Sequence, residues 1–149
     1  MNTLEIDRIS QGLIKDYDGT FAINDLPFTR KKKYKLILNT DTQNLPGSHW
    51  IALYVCQKKG YVFDPLGNSP PLQLQHWLNK QGIQLICNLR QLQPTLSVLC
   101  GNYCIYFLYF MSGTCDQHFQ TTLNKIFPIG MQPNQCESLV RNFSKLFID

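Results

Sequence analysis

Four residue types that together could catalyse acyl transfer are spread through this chain of 149 residues. Cys100 is followed by Gly101 and then by an almost unbroken apolar run, 103–111. The run is too short to cross a membrane, which takes about 20 apolar residues, so it predicts a buried helix. The first turn of a helix favours negative charge and therefore thiolate, the nucleophilic form of cysteine. Gly101 would leave room for a substrate backbone, although a small core cysteine is the competing interpretation.

A histidine and an aspartate frame a predicted β-hairpin. His49 begins a strand rich in β-branched and aromatic residues, 49–57, and a Lys-Lys-Gly turn leads to a second strand, 61–63, which ends before Asp64. The start of one hairpin strand lies near the end of its partner. Asp64 would then accept the Nδ1–H of His49 and fix its tautomer. A surface histidine and a turn-forming Asp-Pro are the alternatives.

A glutamine could complete this set of residues. Gln93 stands seven residues before Cys100, and its amide N–H, together with the backbone N–H of Cys100, could bind the oxyanion of a tetrahedral intermediate. Gln91 is a competing candidate of the same type. A nucleophile, a base, an orienting carboxylate and an oxyanion donor are what acyl transfer requires.

The elements that must position these residues predict an α+β fold, a small mainly antiparallel sheet flanked by helices. The central helix starts near Cys100 and ends before Gly113. The segment 16–20 is expected to be a turn and 40–48 a polar loop. We expect Thr3 to cap the first helix, and Asn134 with Glu137 to form a capping box on the last. The other expected helices are 3–15, 71–81, 115–126 and 135–147, and the other expected strands are 34–39 and 83–89.

Length and composition indicate one globular domain over residues 1–149, because 44% of the chain is hydrophobic and only 16% is charged. The six cysteines form no C-x-x-C pair, so no zinc site is predicted. The N-terminus lacks the pattern of a signal peptide, and no transmembrane stretch is found. We therefore expect reduced cysteines in an intracellular setting.

The chain contains one basic run, formed by Arg30, Lys31, Lys32 and Lys33. It could be a solvated loop before a strand or a patch that contacts the phosphates of nucleic acid. Lys35 is compatible with either interpretation. The net charge of +4 permits phosphate binding but does not require it.

Several motifs resemble those of the adenovirus maturation proteases (adenains), whose fold and site are shared with the SUMO-type proteases. The similarity covers most of the chain, including 38–40 and 122–147. The adenovirus enzymes have Glu where this chain has Asp64, whereas the SUMO proteases have Asp. The most specific matching residues are Gly47-Ser48-His49-Trp50, Phe63-Asp64-Pro65-Leu66-Gly67, and Gln93 with Cys100-Gly101.

The resemblance implies a papain-like, adenain-like cysteine endopeptidase with Cys100 as nucleophile, His49 as base, Asp64 as its partner and Gln93 as oxyanion donor. It places Trp50 beside the imidazole or Gln93. It implies capsid or core precursor substrates cleaved at Gly-containing sites during particle maturation, in the virion or host nucleus. The short chain is similar to relatives encoded by Polinton/Maverick DNA transposons or their viral kin.

The resemblance also bears on cofactors and partners. The chemistry requires no cofactor. Adenain relatives are nevertheless stimulated by DNA and by a short peptide, which pairs with the sheet and forms a disulfide bond with a cysteine of the enzyme. Cys87 lies in roughly that region, and a buried structural role for it is the alternative. Two other functions remain open: an isopeptidase acting on ubiquitin-like proteins, and an inactive binding module. Intact Cys100, His49 and Asp64 argue against the inactive module.

Overall fold

The computed structural model describes residues 1–41, 49–111 and 119–148. In these ranges the first helix is followed by four consecutive strands, and the fifth strand lies between the second and third helices. The helices are α1 (Thr3–Leu13), α2 (Leu72–Lys80), α3 (Cys100–Phe110), α4 (Phe119–Ile126) and α5 (Pro133–Phe147). The strands are β1 (Tyr17–Ala22), β2 (Lys33–Asn39), β3 (Trp50–Cys56), β4 (Lys59–Phe63) and β5 (Gln84–Cys87).

The described strands form one mixed sheet in the order β1-β2-β3-β4-β5. The central pairs β2–β3 and β3–β4 are antiparallel, but β1–β2 and β4–β5 are parallel. The α+β class is confirmed, and the sheet is antiparallel only at its centre. The hairpin turns at Gln57 and Lys58, whose φ values are 49° and 68°, so β4 begins at Lys59 rather than after Gly60.

Strand β1 replaces the turn that the sequence predicts over 16–20. Asp16 has a φ of 63° and makes the change of direction just before the strand, while its carbonyl accepts the N–H of Lys35 at 3.0 Å. The register shifts between Tyr17 and Gly19. This irregularity, together with the polar residues around it, hides the alternation by which a strand is recognised.

The sheet separates two apolar layers. On one side lie α1, α3, α4 and α5, and the ring of Phe63 stacks on that of Phe107 with centroids 4.5 Å apart. On the other side α2 covers residues such as Leu36 and Leu53. Helix α3 is buried over residues 100–108, which confirms the predicted central helix beginning at Cys100 and fixes that residue against the sheet.

The helix caps differ from the predicted ones. Asn2, not Thr3, caps α1 and forms a capping box with Glu5. Helix α5 begins two residues earlier than predicted, and its capping box joins Gln132 to Gln135. Glu137 is therefore not part of a cap. Leu146 and Phe147, in the last turn of α5, are exposed.

The cysteines fall into distinct environments. Cys87, Cys100, Cys104 and Cys136 form no disulfide bond, whereas Cys56 is disulfide-bonded. The expectation that every cysteine is reduced is therefore wrong for Cys56. Cys87 is half-buried on β5 rather than fully buried. Cys115, predicted to begin a helix, lies outside the described residues.

The basic residues separate into an exposed group and a buried one. Residues 30–33 are exposed; Lys31 bonds the carboxylate of Asp18, and Lys33 lies 3.8 Å from that of Asp16. Lys35 is 2% exposed and therefore does not extend a basic surface. None of the helices in the described ranges is long and apolar enough to cross a membrane.

Candidate active site

The predicted histidine and aspartate meet at the end of the central hairpin. His49 lies directly before β3, where its carbonyl accepts the backbone N–H and the hydroxyl of Thr40 at 2.9 and 3.1 Å. Asp64 directly follows β4 and is buried. Asp64 Oδ1 lies 2.7 Å from His49 Nε2. The prediction of an Nδ1 contact is therefore wrong, because the ring turns its other nitrogen to the carboxylate.

His49 is also hydrogen-bonded to the side chain of Cys100. Because Nε2 is occupied by Asp64, Nδ1 is the ring nitrogen left for the thiol. Burial lowers the pKa of His49, but the hydrogen bonds and negative charges of Asp64 and Cys100 outweigh it and raise the pKa to about 9. The imidazole is thus held as a cation between two groups that can both carry negative charge.

Gln93 is buried beside these residues and lines the same groove as His49 and Cys100. Its Nε2 donates a hydrogen bond to the carbonyl of Ser97 at 2.8 Å. That bond fixes which end of the amide carries the N–H groups and leaves the second N–H available. The competing residue, Gln91, is exposed and donates to the carbonyl of Gln93 at 2.9 Å.

The loops that carry Asp64 and Gln93 are joined by backbone hydrogen bonds. The N–H groups of Leu92 and Gln93 both donate to the carbonyl of Pro65, at 2.8 and 2.9 Å. Buried Asn88 accepts the Asp64 N–H at 2.9 Å and donates to the Asp64 carbonyl at 2.8 Å. Gly67, with φ of 74°, has no room for a Cβ, which would lie 2.8 Å from backbone carbon of Arg90.

The groove in front of these residues has a volume of about 600 Å³. Its lining includes His49, Trp50, Gln93 and Cys100, together with Met1 and Thr3 from the N-terminus. Trp50 therefore lies beside the site, as the resemblance implied. Gly47 and Ser48, which precede His49 in the matching motif, lie outside the described residues.

Gly101 does not face the groove in the way the sequence predicted. It is buried, and a Cβ at this position would lie 3.1 Å from Cδ1 of Ile6. The missing side chain therefore permits close packing of α3 on α1 rather than the approach of a substrate. Within the described ranges, no group of three or more His, Cys, Asp or Glu residues could hold a metal ion.

Comparison with known proteins shows that the chain is similar to viral proteases. The chain is 28% identical to the protease of bovine adenovirus 4 over 151 residues, which is 87% of this chain and 74% of that protein. It is 31% identical to the cysteine protease S273R of African swine fever virus over 87 residues, 48% of this chain and 31% of that one. No protein-family model matches the chain.

The fold is shared with a solved structure, that of the African swine fever virus pS273R protease. The TM-score is 0.51 at 17% identity, and the match covers 72% of this chain and 55% of that one. The chain thus spans about half the length of that solved protein. The chain is a cysteine protease that resembles the adenovirus enzymes (adenains) in sequence and the African swine fever virus enzyme in fold. A transposon origin stays a prediction, because the relatives compared are viral.

The fold of this adenain-like protease brings together all four residues that were predicted for its site. Sequence inspection missed two others that support them. Asn88, which directly follows β5, accepts a hydrogen bond from the backbone N–H of Asp64. Glu137, on α5, accepts a hydrogen bond from the hydroxyl of Ser97, in the turn before Cys100. Both contacts join residues at least 24 positions apart. The sequence motif around Asp64 does not indicate that Asn88 contacts it. The local sequence pattern around Glu137 instead predicted a helix cap.

Proposed function

We propose that this adenain-like protease is an endopeptidase that cleaves viral precursor proteins at Gly-containing sites during particle maturation. Cys100 is the nucleophile, His49 the general base and acid, Asp64 its partner, and Gln93 an oxyanion donor. The observation that supports these roles best is the imidazole of His49, hydrogen-bonded to both Asp64 and the Cys100 side chain at the groove.

The chemistry begins with the proton of the Cys100 thiol on His49. The thiolate attacks the peptide carbonyl, forming a C–S bond, and the carbonyl electrons move to oxygen. That oxyanion is bound by the Cys100 N–H and the free N–H of the Gln93 amide. Collapse of the intermediate breaks the C–N bond, and His49 gives its proton to the leaving amine. Water, deprotonated by His49, then hydrolyses the thioester and regenerates the thiol.

The shape of the groove favours small residues next to the bond that is cut. The imidazole of His49 and the indole of Trp50 lie on its wall together with Leu66 and Val98. A carbonyl carbon must come within about 3.5 Å of the sulfur to react. Glycine brings its backbone this close without a side chain that would meet these walls, which supports cleavage at Gly-containing sites.

Incubation with a capsid precursor containing a Gly-Gly site tests this function. The wild type should cleave it, and Cys100→Ala and His49→Ala should not. His76→Ala is the matched control, because His76 is exposed on α2, and it should cleave like the wild type. Equal processing by the wild type and Cys100→Ala, or none by either, would contradict the proposal. Thermal melting shows that each variant is folded.

DNA and an activating peptide are proposed partners of the same enzyme. The exposed run Arg30, Lys31, Lys32 and Lys33 would contact phosphates, although Lys31 and Lys33 already lie beside aspartates. The edge strand β5, with the half-buried Cys87, would receive the peptide. Replacing all four basic residues by Ala should weaken DNA binding and flatten its salt dependence; full affinity would exclude this site.

The relatives indicate a location in the virion or infected cell, and we propose the nucleus within that cell. No observation favours the ubiquitin-like isopeptidase. A ubiquitin-like vinyl sulfone distinguishes the two activities, because an isopeptidase would form a covalent adduct at Cys100. We expect no adduct while the Gly-Gly precursor is cleaved; the reverse result would replace the proposed substrate class.

A further inference from the structure

A carboxylate from the last helix reaches the turn that leads into Cys100. The side chain of Glu137, on α5, is only 14% exposed. Its Oε1 accepts hydrogen bonds from the hydroxyl of Ser97 at 3.0 Å and from that of Tyr103 at 2.9 Å. Arg141 lies 3.6 Å from the other oxygen and is itself largely exposed. Two of these partners belong to the segment that contains Cys100.

Ser97 passes this restraint on to both proposed oxyanion donors. Its hydroxyl oxygen accepts the backbone N–H of Leu99 at 3.1 Å, one residue before Cys100. Its carbonyl accepts Nε2 of Gln93 at 2.8 Å. A single residue bound to Glu137 therefore fixes the amide of Gln93 and the backbone next to the Cys100 N–H.

The start of α3 needs such a restraint because it lacks a cap of its own. Leu99 occupies the N-cap position and makes no side-chain cap bond. Uncapped N–H groups in the first turn can bind an oxyanion. They act efficiently only when they are held in place before the charge develops.

We infer that Glu137 is a positioning residue, which orders the oxyanion donors Gln93 and the Cys100 N–H through Ser97 and Tyr103. The inference rests on the proposed function, and it assigns Glu137 no contact with substrate. Loss of its carboxylate should weaken stabilisation of the transition state while leaving the Cys100–His49 pair intact.

Two reactions of Cys100 separate these effects. Alkylation by iodoacetamide needs the thiolate but forms no oxyanion. Peptide hydrolysis needs the thiolate and also the groups that stabilise the oxyanion. Glu137→Ala should lower kcat by about tenfold to a hundredfold, less than the 10²- to 10³-fold typical of a lost donor. Its alkylation rate should stay within about twofold of wild type, because the thiolate that reacts is unchanged.

Conservative and control variants sharpen the test. Glu137→Gln should retain most of kcat, because its amide oxygen can still accept from Ser97 and Tyr103. Ser138→Ala should match the wild type, since this exposed neighbour bonds only the carbonyl of Asn134 among the described residues. In a double-mutant cycle with Gln93→Ala, the Glu137→Ala effect on kcat should shrink, because the part of that effect that acts through the Gln93 amide is already lost.

The outcomes distinguish this inference from the proposed function. If the wild type and Cys100→Ala hydrolyse substrate equally, the proposed function fails. If the wild type is active but Glu137→Ala has normal kcat, or loses kcat and alkylation in equal measure, the positioning role fails. Should Glu137→Ala not fold, Ser97→Ala carries the same test, because it removes the linking hydroxyl and leaves the Tyr103–Glu137 bond.

Discussion

The imidazole of His49 meets the carboxylate of Asp64 through Nε2, 2.7 Å from Oδ1. The same oxygen accepts the backbone N–H of Leu66 at 2.8 Å, and this bond holds the carboxylate in the orientation that faces the ring. This leaves Nδ1 for Cys100. The charge of the imidazole therefore depends on two partners at once, which makes it measurable by removing them one at a time.

Titration of His49 by NMR should show this dependence. In the wild type we expect the imidazole to lose its proton near pH 9, the value to which its two partners raise the pKa. Asp64→Asn and Cys100→Ala should each lower the midpoint, because each removes one negative partner of the cation. The thiolate–imidazolium pair should accordingly break up as the pH rises through about 9 in the wild type.

The ring signal of exposed His76 is the internal control and should be the same in all three proteins. An unchanged His49 midpoint in Asp64→Asn would show that the carboxylate does not support the cation. The stability linked to His49 follows the same sign. It is fully present below pH 6.5, the unfolded value, and is lost as pH rises through about 9.

Asn88→Ala should impair both stability and activity. The side chain of Asn88 makes two hydrogen bonds with the backbone of Asp64 and a third with the carbonyl of Arg90. Its removal leaves buried backbone groups without partners, which costs about 1–3 kcal/mol each. We expect unfolding at lower urea concentration and a lower kcat with little change in KM. Asn79→Ala, on the exposed side of α2, should change neither quantity.

Gly101→Ala and Gly12→Ala form a matched pair that tests packing around α3. A Cβ at Gly101 would lie 3.1 Å from Cδ1 of Ile6, whereas a Cβ at Gly12 would meet nothing within 4 Å. Overpacking should cost Gly101→Ala about 1–3 kcal/mol of unfolding free energy. Gly12→Ala should be neutral or stabilising, by up to about 1 kcal/mol, because alanine favours the helix. Equal unfolding midpoints would refute the close contact.

Three of the site residues could be predicted from the sequence because they stand at the ends of regular elements, whereas Gln93 lies in the loop between β5 and α3 and was predicted from its residue type and spacing. Hairpin geometry alone brings Asp64 to His49, and the apolar run alone predicts that Cys100 begins a helix. The contacting nitrogen of His49 could not be predicted in this way. Strand register places the Cα atoms, but rotation about the side-chain bonds decides which side of the ring faces Asp64.

The missed features depend on contacts between distant parts of the chain. Glu137 lies 40 residues from Ser97, and its spacing from Asn134 imitates a capping box that Gln132 and Gln135 form instead. The parallel edges of the sheet depend likewise on tertiary packing. The burial of Lys35 could not be predicted either, because it results from the packing of α3 on β2, which the local sequence does not encode.

Buried Lys35 should make the protein more stable as the pH rises through the alkaline range. Its Nζ donates to the carbonyl of Leu108 at 3.1 Å and lies 5.3 Å from the centre of the Tyr54 ring. Burial lowers its pKa from 10.5 to about 8, against the attraction of Asp16. Between these values the unfolded chain holds a proton that the folded protein lacks, so folding is favoured by raising the pH.

Lys35→Met isolates this effect because methionine has a similar volume without the charge. The linked stability is on the order of 3 kcal/mol for a pKa difference of this size; it is complete above pH 10.5 and lost as pH falls through 8. At pH 7, Lys35→Met should therefore be as stable as the wild type or more stable, by up to about 3 kcal/mol. Urea unfolding at pH 7 and pH 10 measures the difference. If the variant's excess in unfolding free energy over the wild type is the same at pH 10 as at pH 7, burial does not lower the pKa of Lys35 as described.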